Sequence, residues 1–232
     1  MKTIASLTLA IAALTAGMAH ADDSVPLNQG WRVGIGGAYI HLNTKTDDFT
    51  GQFTPPGLSL EVKSASTLFL SLSKTMTDHI DVTLLGGLPP LHHVYAKGNA
   101  TAGSQPYDGV EIGSARQLAP TVMVDYSLFD AGTAFRPYFG AGINFTHFYD
   151  QKSTAAGNSI NGGTTTESNS DSLGPAFAIG ARYNWSPRWS LNAELVRPIV
   201  QSQLTATTDG VVRTTNIDFN PLVTVVSVEY TY

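Results

Sequence analysis

"NPLVTVVSVEYTY", residues 220–232, decides how this chain is read. From Leu222 every second position runs Leu222, Thr224, Val226, Val228, Tyr230, Tyr232, with Ser227 and Glu229 between them. A period of two, mostly apolar on one side, marks a β-strand with one greasy face. The chain stops inside that strand, on an aromatic residue. Whether the greasy face meets a protein core or a lipid bilayer depends on the rest of the sequence.

Seven runs of the same kind precede it. The first, "GWRVGIGGAYIHLNT", sets Val33, Ile35 and Tyr39 on one face, and its glycines suggest a bulge. "VKSASTLFLSLSKTM" sets Val62, Leu68, Leu70 and Leu72 against Lys63, Thr67, Ser71 and Ser73. "IDVTLLGGL" and "LAPTVMVDYSL" follow; the first opposes Ile80, Val82, Leu84 and Leu88 to Asp81 and Thr83. The second opposes Leu118, Val122, Val124, Tyr126 and Leu128 to Thr121, Asp125 and Ser127. "RPYFGAGINFTHFY", "LGPAFAIGARYNW" and "WSLNAELVRPIV" complete the set. Strands 2–3, 4–5 and 6–7 are joined by short pieces, "TDH", "FDAGTA" and "SPR". The other connections are long and polar, such as "DQKSTAAGNSINGGTTTESNSDS" and "QSQLTATTDGVVRTTNIDF". Strict alternation of short and long connections is what an outer-membrane barrel requires.

Composition agrees. Charged residues make up 13% of the 232 positions, about half the roughly 25% of an ordinary soluble domain. There is no cysteine, which excludes a disulfide framework and thiolate metal sites. A formal charge of −5 gives no nucleic-acid footprint. "MKTIASLTLAIAALTAGMAHA" carries a lysine, an apolar run and the small-residue ending Ala19-His20-Ala21. It reads as a signal peptide over residues 1–21, leaving one domain over 22–232; a short N-terminal anchor is the alternative. No later stretch approaches the ~20 continuous apolar residues of a membrane helix. A closed barrel is the other structure that satisfies its backbone in lipid.

A soluble sandwich or lipocalin-like barrel shares this periodicity with its apolar face turned inward. Three features favour the inverted version. The polar face is rich in Gly, Ser and Thr rather than Lys and Glu. Trp31, Tyr126, Phe129, Phe135, Tyr138, Tyr183, Trp185, Trp189, Tyr230 and Tyr232 cluster near the short connections, like an interfacial girdle. The long connections share one end. The expectation is all-β: an eight-stranded antiparallel transmembrane β-barrel with four long extracellular loops, three short periplasmic turns and both termini periplasmic.

At "FRPYFGAGINFTHFYD" the chain resembles the OmpW family of outer-membrane proteins, which includes AlkL-like barrels. "TDHIDVTLLGGLPPLHH", "LAPTVMVDYSLF", "DSLGPAFAIGARYNWSPRWSLNAEL" and "NPLVTVVSVEYTY" extend the likeness over the mature chain. The resemblance implies a narrow hydrophobic channel that passes small hydrophobic molecules and releases them sideways into the membrane. It implies that Leu85 matches a family leucine at the constriction, and that Val196 stands where the family can carry a tryptophan. It also implies that the terminal strand ending at Tyr232 is a signal for the outer-membrane assembly machinery. The implied partners are outer-membrane lipid and small hydrophobic molecules.

The residues add detail. An eight-stranded interior is only just wide enough for side chains or one small ligand. Inward charges near the short turns are Asp81, Asp125, Arg182 and Glu229, with Glu194 deeper and Arg32 joining them. Buried charges must be paired, so these six are expected to form an ion-pair network sealing the periplasmic half; a proton or ion path is the other reading. Above them Leu85, Gly87, Met123, Ala119, Ala176, Ala178 and Val196 suit a greasy pocket, with Leu85, Met123 and Val196 as its constriction. Pro89, Pro90 and Pro120 fall at one height on strands 3 and 4 and cannot donate to the ladder. They suggest a lateral opening there, or simple strand termination; in the first case Pro120→Val should reduce uptake. His41, His92, His93 and His147 lie near the long loops without metal-site spacing, and no metal or other cofactor is expected. No nucleophile, base and orienting group can be placed together, so the chain is not read as an enzyme. The alternative is a structural or receptor barrel whose loops bind a bacteriocin, a phage or a host surface. Gly, Ser, Thr and Asn in the loops, Asp150–Ser172 above all, argue for mobility there.

Overall fold

The computed structural model describes residues 30–54, 57–98, 101–102 and 105–232; the expected signal peptide, residues 1–21, lies outside them. Eight long antiparallel strands form the barrel: β1 (Trp31–Leu42), β5 (Ala65–Thr75), β6 (Ile80–Gly87), β11 (Thr121–Ser127), β12 (Phe135–Ser153), β14 (Ser172–Asn184), β15 (Trp189–Pro198) and β18 (Pro221–Thr231). Between them, in chain order, lie β2 (Lys45–Thr46), β3 (Thr50–Gly51), β4 (Ser59–Val62), β7 (Leu91–Lys97), β8 (Thr101–Ala102), β9 (Gln105–Pro106), β10 (Glu111–Leu118), α1 (Ala155–Asn161), β13 (Thr165–Asn169), β16 (Gln201–Thr208) and β17 (Val211–Asp218). The order around the barrel is β11-β6-β5-β1-β18-β15-β14-β12, and a β11–β12 pairing closes it.

The inverted pattern is present. Ile35, Phe139, Ile143, Phe177, Ile179 and Val226 are each more than half exposed on the outside, whereas Asp81, Ser73, Asn192, Ser227 and Glu229 are buried inside. A soluble barrel would reverse these sets, because water rather than hydrocarbon would meet the outer face. The closing strand answers the question posed by its sequence. Val226, Val228 and Tyr232 point out, Val225, Ser227 and Glu229 point in, and β18 pairs with β1 on one side and β15 on the other. Closure leaves no edge strand exposed. Trp185 stacks near Trp189, and Tyr230 meets Trp189 edge-on at 4.8 Å, which builds part of an aromatic belt near the short turns.

Four expectations need correction. The glycines of β1 make no bulge: its register runs unbroken from Arg32↔Thr231 to Leu42↔Pro221 and from Trp31↔Lys74 to Ile40↔Ala65. Gly36 is needed for close approach instead, since a Cβ there would come within 2.1 Å of the Val226 carbonyl oxygen. Val62 does not share a face with Leu68. It lies on β4 and is buried, because the chain breaks between β4 and β5 and the alternation restarts. Tyr138 does not belong to the outer belt; it is 5% exposed and points into the lumen.

The long connections are the fourth correction. They are hairpins that continue the wall beyond the barrel. β10 extends β11 past Pro120 and pairs with both β12 and β7, and β7 pairs with β4. β16 and β17 form a hairpin flanked by β13 and β2. Its turn is Asp209-Gly210, both with positive φ (49° and 82°), which suits a two-residue type I′ connection. The Asp150–Ser172 segment holds the end of β12, then α1, then β13. Thr154 caps α1 by accepting from Gly157 N at 3.0 Å, and Gly162 ends it in the left-handed conformation.

Candidate functional site

The lumen is built in layers. Nearest the short turns, four charges from β1, β6, β14 and β18 meet in a ring. Arg32 Nη2 donates to Asp81 Oδ2 at 2.9 Å, and Arg182 Nη1 donates to the same oxygen at 3.1 Å. Arg182 Nε donates to Glu229 Oε2 at 2.7 Å, and Arg32 Nε lies 3.0 Å from that oxygen. Two guanidiniums therefore alternate with two carboxylates. All four side chains are almost fully buried. Thr75 donates to Asp81 Oδ1 at 2.6 Å and Ser190 to Glu229 Oε2 at 3.3 Å. Arg136, which the sequence reading passed over, is also buried; it donates to the carbonyl oxygens of Phe129 and Asp78 in the turns below.

Asp125 and Glu194 stand apart from the ring and pair with neither arginine. Thr83 donates to Asp125 at 2.9 Å. Tyr138 Oη lies 3.0 Å from Glu194 Oε2 and 2.9 Å from Asn192 Oδ1, and the Arg182 guanidinium sits 5.6 Å from the Tyr138 ring centre. Tyr138 was legible: it occupies the face of its strand opposite Phe139, Ala141 and Ile143.

Above this polar layer the wall turns apolar. Ala38, Phe69, Leu85, Met123, Ala176, Ala178, Val196 and Val225 form one buried cluster. It opens into a cavity of ≈ 100 Å³, which Leu85 and Val196 line along with Ile40, Leu42 and Val200. Met123 is 1% exposed and does not line it. Its sulfur lies over Gly142, where a Cβ would come within 2.7 Å. A second cavity, ≈ 60 Å³, lies within the hairpin extension, among Leu60, Val62, Val94, Ile112, Leu204 and Ile217. Phe219 lines both chambers and stacks on Phe148 at 5.0 Å, so this aromatic pair separates them.

The upper chamber has few polar groups. Glu167, on β13, faces it with Asn169, His92 and Arg213. The rows Glu167↔Ala206 and Ala206↔Arg213 set the carboxylate and the guanidinium two strands apart. Burial raises the Glu167 carboxyl to about 7. His92 is buried and its Nδ1 contacts the Lys63 carbonyl oxygen at 3.0 Å, while His93 faces out against Glu111 and His147 against Asp171. The four histidines thus have separate partners, and His41 stacks beside Tyr39.

The lower chamber reaches the wall at Leu88, Pro90, Gln117 and Ala119. There the ladder is interrupted. β6 and β11 pair up to Leu85↔Thr121, and β7 and β10 resume at Leu91↔Arg116. Among the described residues no backbone hydrogen bond joins 86–90 to 117–120. The prolines do not contribute equally. Pro120 accepts from Phe145 N at 3.0 Å, so its carbonyl faces β12. In a strand a residue's N–H and C=O point the same way, so the donor that Pro120 lacks is missing on the β12 side. Between these rows the β6–β7 side holds residues 86–90 and the β10–β11 side residues 117–120, so the register shifts by one residue across the gap. Pro89 and Pro90 lie within it and bring no N–H.

Comparison with known proteins agrees with this geometry. Residues 32–232 match the sequence profile of the OmpW family. Outer membrane protein W of Vibrio cholerae serotype O1 is 31% identical over 173 residues, spanning 75% of this chain and 76% of its own length. Among solved structures, the outer membrane protein OprG from Pseudomonas aeruginosa superposes with a TM-score of 0.78 at 21% identity, covering 88% of this chain and 98% of its own. Outer membrane protein AlkL in lipid bilayers gives 0.64 at 18% identity, covering 93% and 96%.

Proposed function

Because the chain belongs to the OmpW family of outer-membrane barrels, we propose that it passes small hydrophobic molecules inward from the cell exterior and releases them sideways into the membrane. The observation that carries this reading is the lower apolar chamber, which reaches the barrel wall at the unpaired seam. In this reading the long-loop end faces outward and both termini lie in the periplasm. Cargo enters the upper chamber, passes the Phe148–Phe219 pair and rests against Leu85 and Val196, with Met123 supporting the wall behind them. The ring of Arg32, Asp81, Arg182 and Glu229, with Asp125 and Glu194 above it, seals the route to the periplasm. Moving a greasy molecule past four buried charges would break their pairing, whereas the seam offers an apolar exit. No chemical step on the cargo is involved.

Uptake of naphthalene by outer-membrane vesicles with and without the protein tests this. A saturable increase is expected. Pro89→Val with Pro90→Val returns two donors to the gap; one restored ladder bond, worth about 1 kcal/mol, should slow uptake roughly fivefold. Pro120→Val restores a donor towards β12 and should leave uptake near the native rate, contrary to the expectation from sequence. No increase over protein-free vesicles would move the function to the loops and a receptor or structural role.

The upper chamber adds a pH dependence. Glu167 is neutral below about 7 and charged above it. Uptake of an apolar probe should therefore fall as pH rises through that value, and Glu167→Gln should flatten the profile. Stability follows the same sign. A carboxyl whose folded value is raised contributes fully below its ordinary 4.5 and loses that contribution as pH rises through about 7. A denaturant series across this range, native against Glu167→Gln, measures it.

A further inference from the structure

Among the described residues, one side chain hydrogen-bonds across the interrupted seam. Arg116 Nη1 donates to the Pro89 carbonyl oxygen at 3.0 Å. Arg116 sits on β10, opposite Leu91 of β7 on one side and Tyr149 of β12 on the other. Leu118, two residues on, points outward, while Gln117 and Ala119 line the cavity. Arg116 therefore belongs to the outer face, and its guanidinium lies along the outside of the wall. On the β12 side its Nε is 3.7 Å from Asp150 Oδ2, and Asp150 also holds Lys152 at 2.9 Å. Asp150 has φ of 53°, the left-handed conformation.

From this geometry we infer that Arg116 is the latch of the lateral seam: its bond to Pro89 holds the wall closed where the ladder does not. The inference rests on the proposed lateral release and adds the residue that regulates it. Its logic is one of donors. Pro89 and Pro90 bring no N–H to the gap, but the Pro89 carbonyl remains an acceptor and takes the Arg116 guanidinium. A backbone donor there would make the closure part of the sheet and rigid. A flexible, charged side chain makes it a bond that swings away without disturbing either strand. Arg116 anchors to Asp150 on β12, a strand that runs unbroken past the seam from Phe135 to Ser153. When Pro89 is released, the guanidinium keeps a carboxylate partner, so the open state does not strand a charge in the lipid interface. Pro89, Pro90, the missing pairs and the arginine form one device: a wall segment held closed by a side chain.

The test uses the full barrel in lipid vesicles and reads two quantities. Hydrogen exchange of the Leu85, Thr121, His92 and Ala115 amides, in the paired rows that flank the seam, reports its opening, and naphthalene uptake reports transport. Arg116→Ala should speed exchange at these amides roughly tenfold to a hundredfold, the loss expected for one hydrogen bond to a charged group, and raise uptake in the same sense. Arg116→Lys keeps a donor on a stem of similar reach and should restore most of the protection. Unchanged exchange in Arg116→Ala overturns the latch. Equal loss in the Lys and Ala variants also overturns it, since a donor would then not be what matters. If the native protein shows no uptake, lateral release fails, and the exchange result still decides whether Arg116 holds the seam.

Discussion

A tryptophan in place of Leu85 is expected to slow uptake of a small hydrophobic probe by roughly tenfold to a hundredfold while the barrel folds normally. Leu85 is 7% exposed and lines the lower chamber opposite Val196 and Val225. Its strand neighbours are Ser71 and Thr121, whose short side chains cannot move aside to make room. The chamber holds ≈ 100 Å³, and an indole placed there takes the space a cargo molecule needs. Forcing cargo past an overfilled site costs about 1–3 kcal/mol, which is the stated range of rates. The barrel itself tolerates the change because the added volume enters a void. Leu85→Ala is the matching control and should leave uptake at or above the native rate. Initial rates in vesicles, with folding checked by heat-modifiable mobility, make the comparison. A folded Trp variant with native uptake would mean that cargo does not pass through the lower chamber.

The second large effect concerns stability. Arg182→Met should lower the unfolding free energy by about 3–5 kcal/mol, the cost of breaking a buried ion pair by removing one partner. Arg182 contacts Asp81 at 3.1 Å and Glu229 at 2.7 Å. Without it, two buried carboxylates share Arg32 alone. Adding Glu229→Gln removes the excess charge and should recover a substantial part of the loss. The double-mutant cycle then reports coupling between Arg182 and Glu229, with about 1–3 kcal/mol expected for residues in one network. Urea titration of the barrel in phospholipid vesicles gives the four values. If Arg182→Met unfolds at the native midpoint, the ring is bathed in water, and the floor of the lumen is not a seal.

Much of the architecture was readable because the side-chain period of a strand is two, and eight runs kept to it. What periodicity leaves undetermined is the sign of the radial direction, since a soluble barrel has the same period. Composition supplied the sign: Ser71, Ser73, Ser190, Asn192 and Ser227 would be an odd solvent face but make a compact interior. The wall beyond the membrane was less legible. "TATTDGVVRTT" alternates weakly because both of its faces are polar or small, so it read as loop. The Asp209-Gly210 pair was the available signal, since both residues tolerate positive φ and fit a hairpin turn. Long-range partners were beyond any local pattern. That Arg116 reaches Pro89 depends on how β7 and β10 resume pairing after their prolines, and β10 carries irregularities at Glu111–Gly113 and Ser114–Arg116 that shift its register. The role of Pro120 was misjudged for a related reason. Sequence shows that a donor is missing, but only pairing shows towards which neighbour.

The charged ring has a consequence for assembly. Arg32 lies near the start of the first strand and Glu229 near the end of the last, and they meet only when β1 and β18 zip together. Until that moment Glu229 lacks its Arg32 partner. A slip of one residue between the two strands would turn Glu229 towards the hydrocarbon and bring Val228 or Tyr230 into the lumen. The register of closure is therefore selected by charge: a misaligned pairing leaves arginine and carboxylate unmatched in an oily surrounding, whereas the true alignment neutralises both at once.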